Sequence, residues 1–128
     1  MSNKTIIHSD NAPKAIGPYS QAVAINGLVF CAGQIPLDPM TMNLVVGGVA
    51  EQTHQCLKNA QAVLQAAGSD LGKVVKTTVF LQNMSDFAAM NAVYATYFTS
   101  DPPARSTIEV AKLPKDALVE IECIGVVE

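Results

Sequence analysis

Charge is scarce in this chain: of its 128 residues only 15% are Asp, Glu, Lys or Arg, and they sum to a net charge of −3. Without a basic excess it lacks the electrostatic footprint of a nucleic-acid or anionic-membrane binder, although local basic pockets are still allowed. Long apolar runs are missing as well, so no segment approaches the roughly 20 residues of a membrane-spanning helix. The opening Met-Ser-Asn-Lys-Thr-Ile-Ile-His has no apolar core of a secretory signal, and a cytoplasmic location with no membrane partner is expected. Cys31, Cys56 and Cys123 are odd in number and show no C-x-x-C spacing, which suits reduced, packed thiols rather than a disulfide framework or a zinc site. His54 and Cys56 stand two apart on a predicted helix and point to different sides, a poor ligand pair. Gly47-Gly48 alone does not make a phosphate-binding loop, and no Ser-His-Asp or Cys-His spacing stands out. Neither a cofactor nor a metal is indicated. Internal repeats and low-complexity segments are also absent.

What is present is apolar: 49% of the residues are hydrophobic. The length suits a single domain over residues 1–128, built around one core. So apolar a surface-to-core balance predicts an obligate oligomer.

The element signals run in a clear order. Residues 5–8 are extended, and 9–18 are a turn-rich lead-in. Two β-prone segments, 19–25 and 28–33, flank Asn26-Gly27, the strongest short hairpin signal. A two-residue turn that pairs Ile25 with Leu28 would also set Tyr19 opposite Gln34 and Ser20 opposite Gly33. A helix is predicted over 49–67, with Val49, Thr53, Cys56, Leu57, Ala60, Val63 and Leu64 on its apolar stripe, Gln52 and Asn59 mostly elsewhere, and Gly68 as its stop. A strand over 73–81, rich in Val and Thr, reads as buried on both faces at its centre. A second helix over 86–98 has Ser85 as its candidate cap and Phe87, Met90, Val93, Tyr94, Tyr97 and Phe98 as its stripe. Pro102 and Pro103 end it, and strands follow over 105–111 and 118–127. The order is β-β-β-α-β-α-β-β, an α+β chain with a mixed six-stranded sheet and two helices packed on one face. Its two β-α-β crossovers should give parallel neighbours. Two helices cannot cover both faces, so the second face is expected to pack on another copy of the chain.

Two charges stand out in the last strands. Arg105 follows a rigid Pro-Pro-Ala lead, and a guanidinium there can hold a carboxylate with two parallel hydrogen bonds. A surface arginine paired with an acid of its own chain is the alternative. Glu120 lies among Leu, Val, Ile and Cys, where a carboxylate must be paired, hydrogen-bonded or raised in pKa, the last giving a general acid or base. Glu122 shares its face, and periodicity does not separate the two. Tyr19 offers either a phenol to a ligand or a packing surface. Asn91 either bonds across an interface or sits on a polar helix margin.

The ordered set Asn-Ala-Pro-Lys-Ala-Ile-Gly-Pro-Tyr-Ser-Gln-Ala, Gly-Gln-Ile-Pro, Val-Val-Lys-Thr-Thr-Val-Phe-Leu, Asp-Phe-Ala-Ala-Met-Asn-Ala-Val-Tyr and Pro-Ala-Arg-Ser-Thr-Ile-Glu-Val-Ala-Lys-Leu-Pro through Val-Glu-Ile-Glu resembles the Rid family, the reactive-intermediate deaminases also called YjgF-like proteins. The resemblance implies chorismate-mutase-like subunits in a homotrimer, with sheets inside, helices outside and sites in the clefts between subunits. It also implies cofactor-free, metal-free hydrolysis of small 2-imino and enamine acids, such as 2-aminoacrylate, to 2-keto acids and ammonium. By position, Arg105 would hold the substrate carboxylate and Glu120 would place or activate water. Tyr19, Gly33, Asn91 and Thr107 would line the pocket, with Phe87 reaching it from a neighbouring subunit. Thr107 stands where many members carry Cys, and Met42-Asn43 replaces a more usual Gly-containing turn. A trimer that binds or senses a small carboxylate is the other reading. RNA cleavage or translation inhibition, attached to relatives, fits the acidic charge less well.

Overall fold

The computed structural model describes residues 3–128, so Met1 and Ser2 of the N-terminal stretch lie outside the described residues. Six strands and two helices follow the predicted order: β1 (Thr5–Ile7), β2 (Ala22–Ile25), β3 (Leu28–Gln34), α1 (Val49–Ala66), β4 (Val74–Leu81), α2 (Phe87–Tyr97), β5 (Ala104–Glu109) and β6 (Val119–Val126). The strands form one sheet in the order β1-β2-β3-β6-β4-β5.

The β2–β3 hairpin turns on Asn26 and Gly27, whose φ values of 52° and 79° are the left-handed pair that a two-residue turn requires. Ile25 pairs with Leu28, and the same register runs to Ala22 and Cys31. One further bond, Ala32 N–H to the Gln21 carbonyl at 2.9 Å, extends it. There the ladder stops, short of the expected Tyr19–Gln34 and Ser20–Gly33 pairs. The buried Gln21 amide captures the lead-in instead: it accepts from Ser9 N at 2.7 Å and donates to the carbonyls of Ser9 and Pro13 at 3.1 and 2.8 Å. The chain then turns at Gly17, whose carbonyl accepts from Tyr19 N.

The second crossover gives the expected parallel neighbours, β4 and β5. The first does not. β3 and β4 run in the same direction, but β6 lies between them, antiparallel to both. A strand arriving last in the chain fills the gap, a long-range pairing that no local pattern announces.

Both helices cover one face. Cys56, Leu57, Met90 and Tyr94 from the helices meet Val79, Leu81, Val119 and Ile121 from β4 and β6. Val63, Leu64 and Ala60 meet Val29, Cys31 and Cys123 nearer the hairpin. Leu57 and Leu64 are fully buried, and truncating such a side chain costs about 2–5 kcal/mol. The α1 stripe is as expected except for two buried amides. Gln52 accepts from Leu118 N at 2.8 Å, and Asn59 donates to the Leu37 carbonyl at 2.9 Å. Each satisfies backbone that the sheet leaves open, which is why a polar residue occupies the core. At its end, Gly68 N bonds the Gln65 carbonyl and Ser69 N that of Leu64, a glycine-terminated cap with Gly68 at φ 83°. Ser85 caps nothing: a 3₁₀ turn over Met84–Asp86 leads into α2, with Asp86 at the N-cap and no side-chain cap bond.

The opposite face is open. Phe30 and Ile108 are 42% and 44% exposed on it, and β4, expected to be buried on both sides, buries Thr77, Val79 and Leu81 but only half-buries Lys76, Thr78 and Phe80. In the loop before α1, Met42 takes φ 62°, the conformation a glycine would adopt without strain. Bonds from Met42 N to the Asp38 carbonyl and from Asp38 N to that of Asn43 hold it there.

Candidate functional site

Strand parity decides where the two unusual charges go. Arg105 and Thr107 pair with Thr77 and Val79 of β4, on the helix-covered face. Glu120 and Glu122 pair with Phe80 and Thr78, on the open face. Within one chain, therefore, Arg105 and Glu120 lie on opposite sides of the sheet, and the expected pair does not meet.

Arg105 leaves the edge strand β5 and packs on α2. Its Nη1 donates to Asn91 Oδ1 at 2.7 Å. Its guanidinium lies 4.7 Å from the Tyr94 ring centroid and 5.5 Å from that of Phe87. Positions 87, 91 and 94 fall on one helix face, so a single stripe supplies both rings and the amide. Phe87 thus reaches Arg105 of its own chain, and Asn91 bonds within the chain. No acid of the described residues pairs with Arg105, since the ion pairs among them are His8–Asp10 and Lys112–Asp116. The guanidinium keeps its other donors beside a cavity of about 390 Å³ lined by Tyr94, Ala95, Phe98, Pro102 and Pro103. Thr107, two residues on along the same face, has a buried hydroxyl with no partner among the described residues. Tyr94 escaped the sequence reading as a site residue, although its spacing of three from Asn91 marks it. Its hydroxyl bonds Thr77 Oγ1 at 2.7 Å, which locks the ring under the arginine, and burial pushes its phenol pKa up.

Glu120 belongs to a second cavity, about 410 Å³, with Ile16, Tyr19, Ala32, Gly33, Ile35 and Pro114. β3 carries one residue more than β6 between the pairs Cys31–Cys123 and Gln34–Ile121, a bulge at Ala32-Gly33 that turns Gly33 toward Glu120. Burial, and secondarily the charge of Glu122, hold the Glu120 carboxyl above its ordinary value. Glu122 is exposed, so the choice between the two acids falls on Glu120. Tyr19 is 51% exposed at the cavity mouth, more open than a packing residue, with its hydroxyl accepting from Ile16 N at 3.3 Å. The structure therefore gathers Arg105, Asn91, Phe87 and Thr107 into one group and Tyr19, Gly33 and Glu120 into another.

Elsewhere, His54 Nδ1 meets the Tyr97 hydroxyl at 3.0 Å, and the three cysteines are buried and free. No helix is long and apolar enough to cross a membrane among the described residues.

This mixed sheet with two helices on one face and an arginine clamped at its edge defines an α+β subunit of the YjgF type. The profile of the family described as Endoribonuclease L-PSP matches residues 9–127. A RutC family protein of Pyrococcus horikoshii, PH0854, is 53% identical over 122 residues, 95% of this chain and 97% of that protein. The 2-iminobutanoate/2-iminopropanoate deaminase of Mus musculus is 49% identical over 123 residues, 96% of this chain and 91% of the mouse protein. Among solved structures, the Rid-family protein YyfA of Yersinia pestis has a TM-score of 0.95 at 51% identity, with 98% of this chain and 100% of that one covered. The chain belongs to the Rid family.

Proposed function

We propose that this protein hydrolyses small 2-imino and enamine acids, such as 2-aminoacrylate and 2-iminobutyrate, to 2-keto acids and ammonium in the cytoplasm. One observation carries the reading: a guanidinium held rigidly by a neutral amide and two rings, with no carboxylate partner among the described residues, beside an open cavity. Such a group is a receptor for an external carboxylate. The deaminase name of the mouse relative supports the chemistry.

In this reading an enamine first takes a proton on carbon to become the iminium. Water then adds to the C=N carbon, a proton moves to nitrogen, and the C–N bond breaks to leave the keto acid and ammonia, which protonates to ammonium. Orientation and one proton shuttle suffice for an electrophile this reactive. Arg105 supplies the first, and Glu120, whose carboxyl holds its proton more tightly than usual, supplies the second.

Because the two residues face opposite sides of one sheet, the complete site joins Arg105 of one chain to Glu120 and Tyr19 of a neighbour, with the open sheet faces packed in a homotrimer. A carboxylate-binding role without turnover would need the Arg105 pocket alone. RNA cleavage draws no support from a chain of net charge −3.

Mixing separates these readings. Arg105→Ala and Glu120→Gln are each expected to lose turnover, and co-refolded mixtures should regain about a quarter of wild-type activity, since random assembly rebuilds some intact sites. Mixtures as inactive as their parents would rule out a shared site. Glu120→Gln with full turnover would take Glu120 out of the chemistry, and wild-type protein that binds a 2-keto acid but leaves keto-acid formation at the uncatalysed rate would leave only the binding role.

A further inference from the structure

Glu120 is held in an unusual way, and the reason lies in its neighbour. A side chain on the central strand β6 would normally stand away from the sheet, flanked by side chains of the adjoining strands. Here the adjoining position is Gly33, brought there by the β3 bulge. A methyl group at Gly33 would overlap Glu120 Oε2 and would lie 2.9 Å from Cδ and 3.1 Å from Cγ. The carboxylate therefore occupies the space that any other residue at this position would fill.

Backbone conformation does not explain the glycine. Gly27, Gly47 and Gly68 have the positive φ that favours glycine, and Gly33 does not. The overlap, moreover, is with the far end of one flexible side chain and not with backbone. An alanine would leave the strand where it is and move the carboxylate.

We propose that Gly33 is a positioning residue whose missing side chain lets the Glu120 carboxylate fold back against β3 and into the Tyr19 cavity. This rests on the deaminase reading for its consequence in turnover, but not for the placement itself. It differs from a role in lining the pocket, because Gly33 acts through Glu120.

The charges around the carboxylate are few. Glu122 stands two residues along β6, the Tyr19 phenol comes from the lead-in, and Cys56 of α1 is close enough for Glu120 to raise its thiol further after burial. Lys14 borders the adjoining small cavity that shares Tyr19 and Gly33. The β4 ladder partner, Phe80, and the loop residue Pro114 bring none. A carboxylate swung away from Gly33 would gain water and exchange its proton more readily.

The test is Gly33→Ala, read first in the ligand-free protein. Carbon-13 NMR of the side-chain carboxyls, with Glu120 assigned by its loss in Glu120→Gln, should show the Glu120 titration moving down toward the ordinary 4.5 in the alanine variant. An unchanged titration would overturn the proposal. In turnover, Gly33→Ala should lower kcat/KM about tenfold in the wild-type background and less than about twofold in the Glu120→Gln background, because the two changes strike one group. Equal losses in both backgrounds would make Gly33 a mere wall of the pocket and overturn its positioning role. Should Gly33→Ala fail to fold, Gly33→Ala with Glu120→Asp, one methylene shorter, should fold; if it also fails, the overlap is not the cause and the proposal falls. Should Glu120→Gln keep full turnover, the assignment of Glu120 falls while the NMR titration still decides Gly33.

Discussion

The arginine half of the site and the glutamate half are built by opposite means. Arg105 sits on an edge strand and is placed by what touches it: an amide oxygen at 2.7 Å and two aromatic rings at 4.7 and 5.5 Å. Glu120 sits on a central strand, its carboxylate accepts no hydrogen bond among the described residues, and it is placed by the room a glycine leaves beside it. A cation fixed by contacts is disturbed by taking contacts away, and an anion fixed by space is disturbed by filling it. The difference suits the two proposed roles. A carboxylate clamp needs a rigid fork, whereas a proton shuttle needs partial desolvation and freedom to reorient.

The largest effect should come from removing the clamp. Arg105→Ala is expected to lower kcat/KM by about 10²–10³, the worth of two charge-assisted hydrogen bonds. Arg105→Lys should restore little, since an ammonium can neither form the fork nor stack between two rings. Keto-acid formation from freshly generated 2-aminoacrylate measures both, and wild-type rates in Arg105→Ala would take the arginine out of the site. A subtler break leaves the arginine in place and occupies it. Asn91→Asp puts a carboxylate where an amide oxygen now accepts from Nη1, so substrate must compete with it. KM should rise about tenfold, or ~1.4 kcal/mol, with kcat changing less. An unchanged KM would mean that substrate uses some other cation.

How legible these halves are in the sequence depends on the range of the interactions that build them. The Asn26-Gly27 turn, the α1 stripe with its Gly68 stop, and the helix face shared by Phe87 and Asn91 are local and can be read directly. Arg105 and Glu120 stand out singly because each is a charge at a place with a physical reason to exclude one. Their separation onto opposite faces was not legible, since parity between β5 and β6 is transmitted through β4, and no turn links those registers. The insertion of β6 between β3 and β4 and the buried amides of Gln21, Gln52 and Asn59 share this cause. Each polar group answers to backbone far away in the chain. The overlap that makes Gly33 necessary depends on a bulge, visible only once the strands are paired.

The smallest effect concerns stability and sharpens the contrast further. In the fold, burial and then Glu122 raise the Glu120 carboxyl above its ordinary value of 4.5. As pH climbs through 4.5 toward that raised value, the unfolded chain has already released a proton that the folded chain still holds. The folded state then binds more protons, so stability falls with rising pH across this window and stays lowered above it. Glu120→Gln carries no such proton. Relative to wild type, its stability should rise with pH, an effect kept small because the carboxylate is partly solvated. It should read as a small relative gain in Tm between pH 4 and pH 7.5. A Tm difference between variant and wild type that is the same at both pH values would mean that the fold does not raise the Glu120 carboxyl. Arg105→Ala should move stability the other way at neutral pH, because it strips the cover from Tyr94 and Phe87 and leaves the Asn91 oxygen without its donor. If both substitutions lowered Tm alike, contact and space would no longer distinguish the two halves. If they diverge as expected, the glutamate is the half the fold tolerates at a cost, and the arginine is the half that helps hold it together.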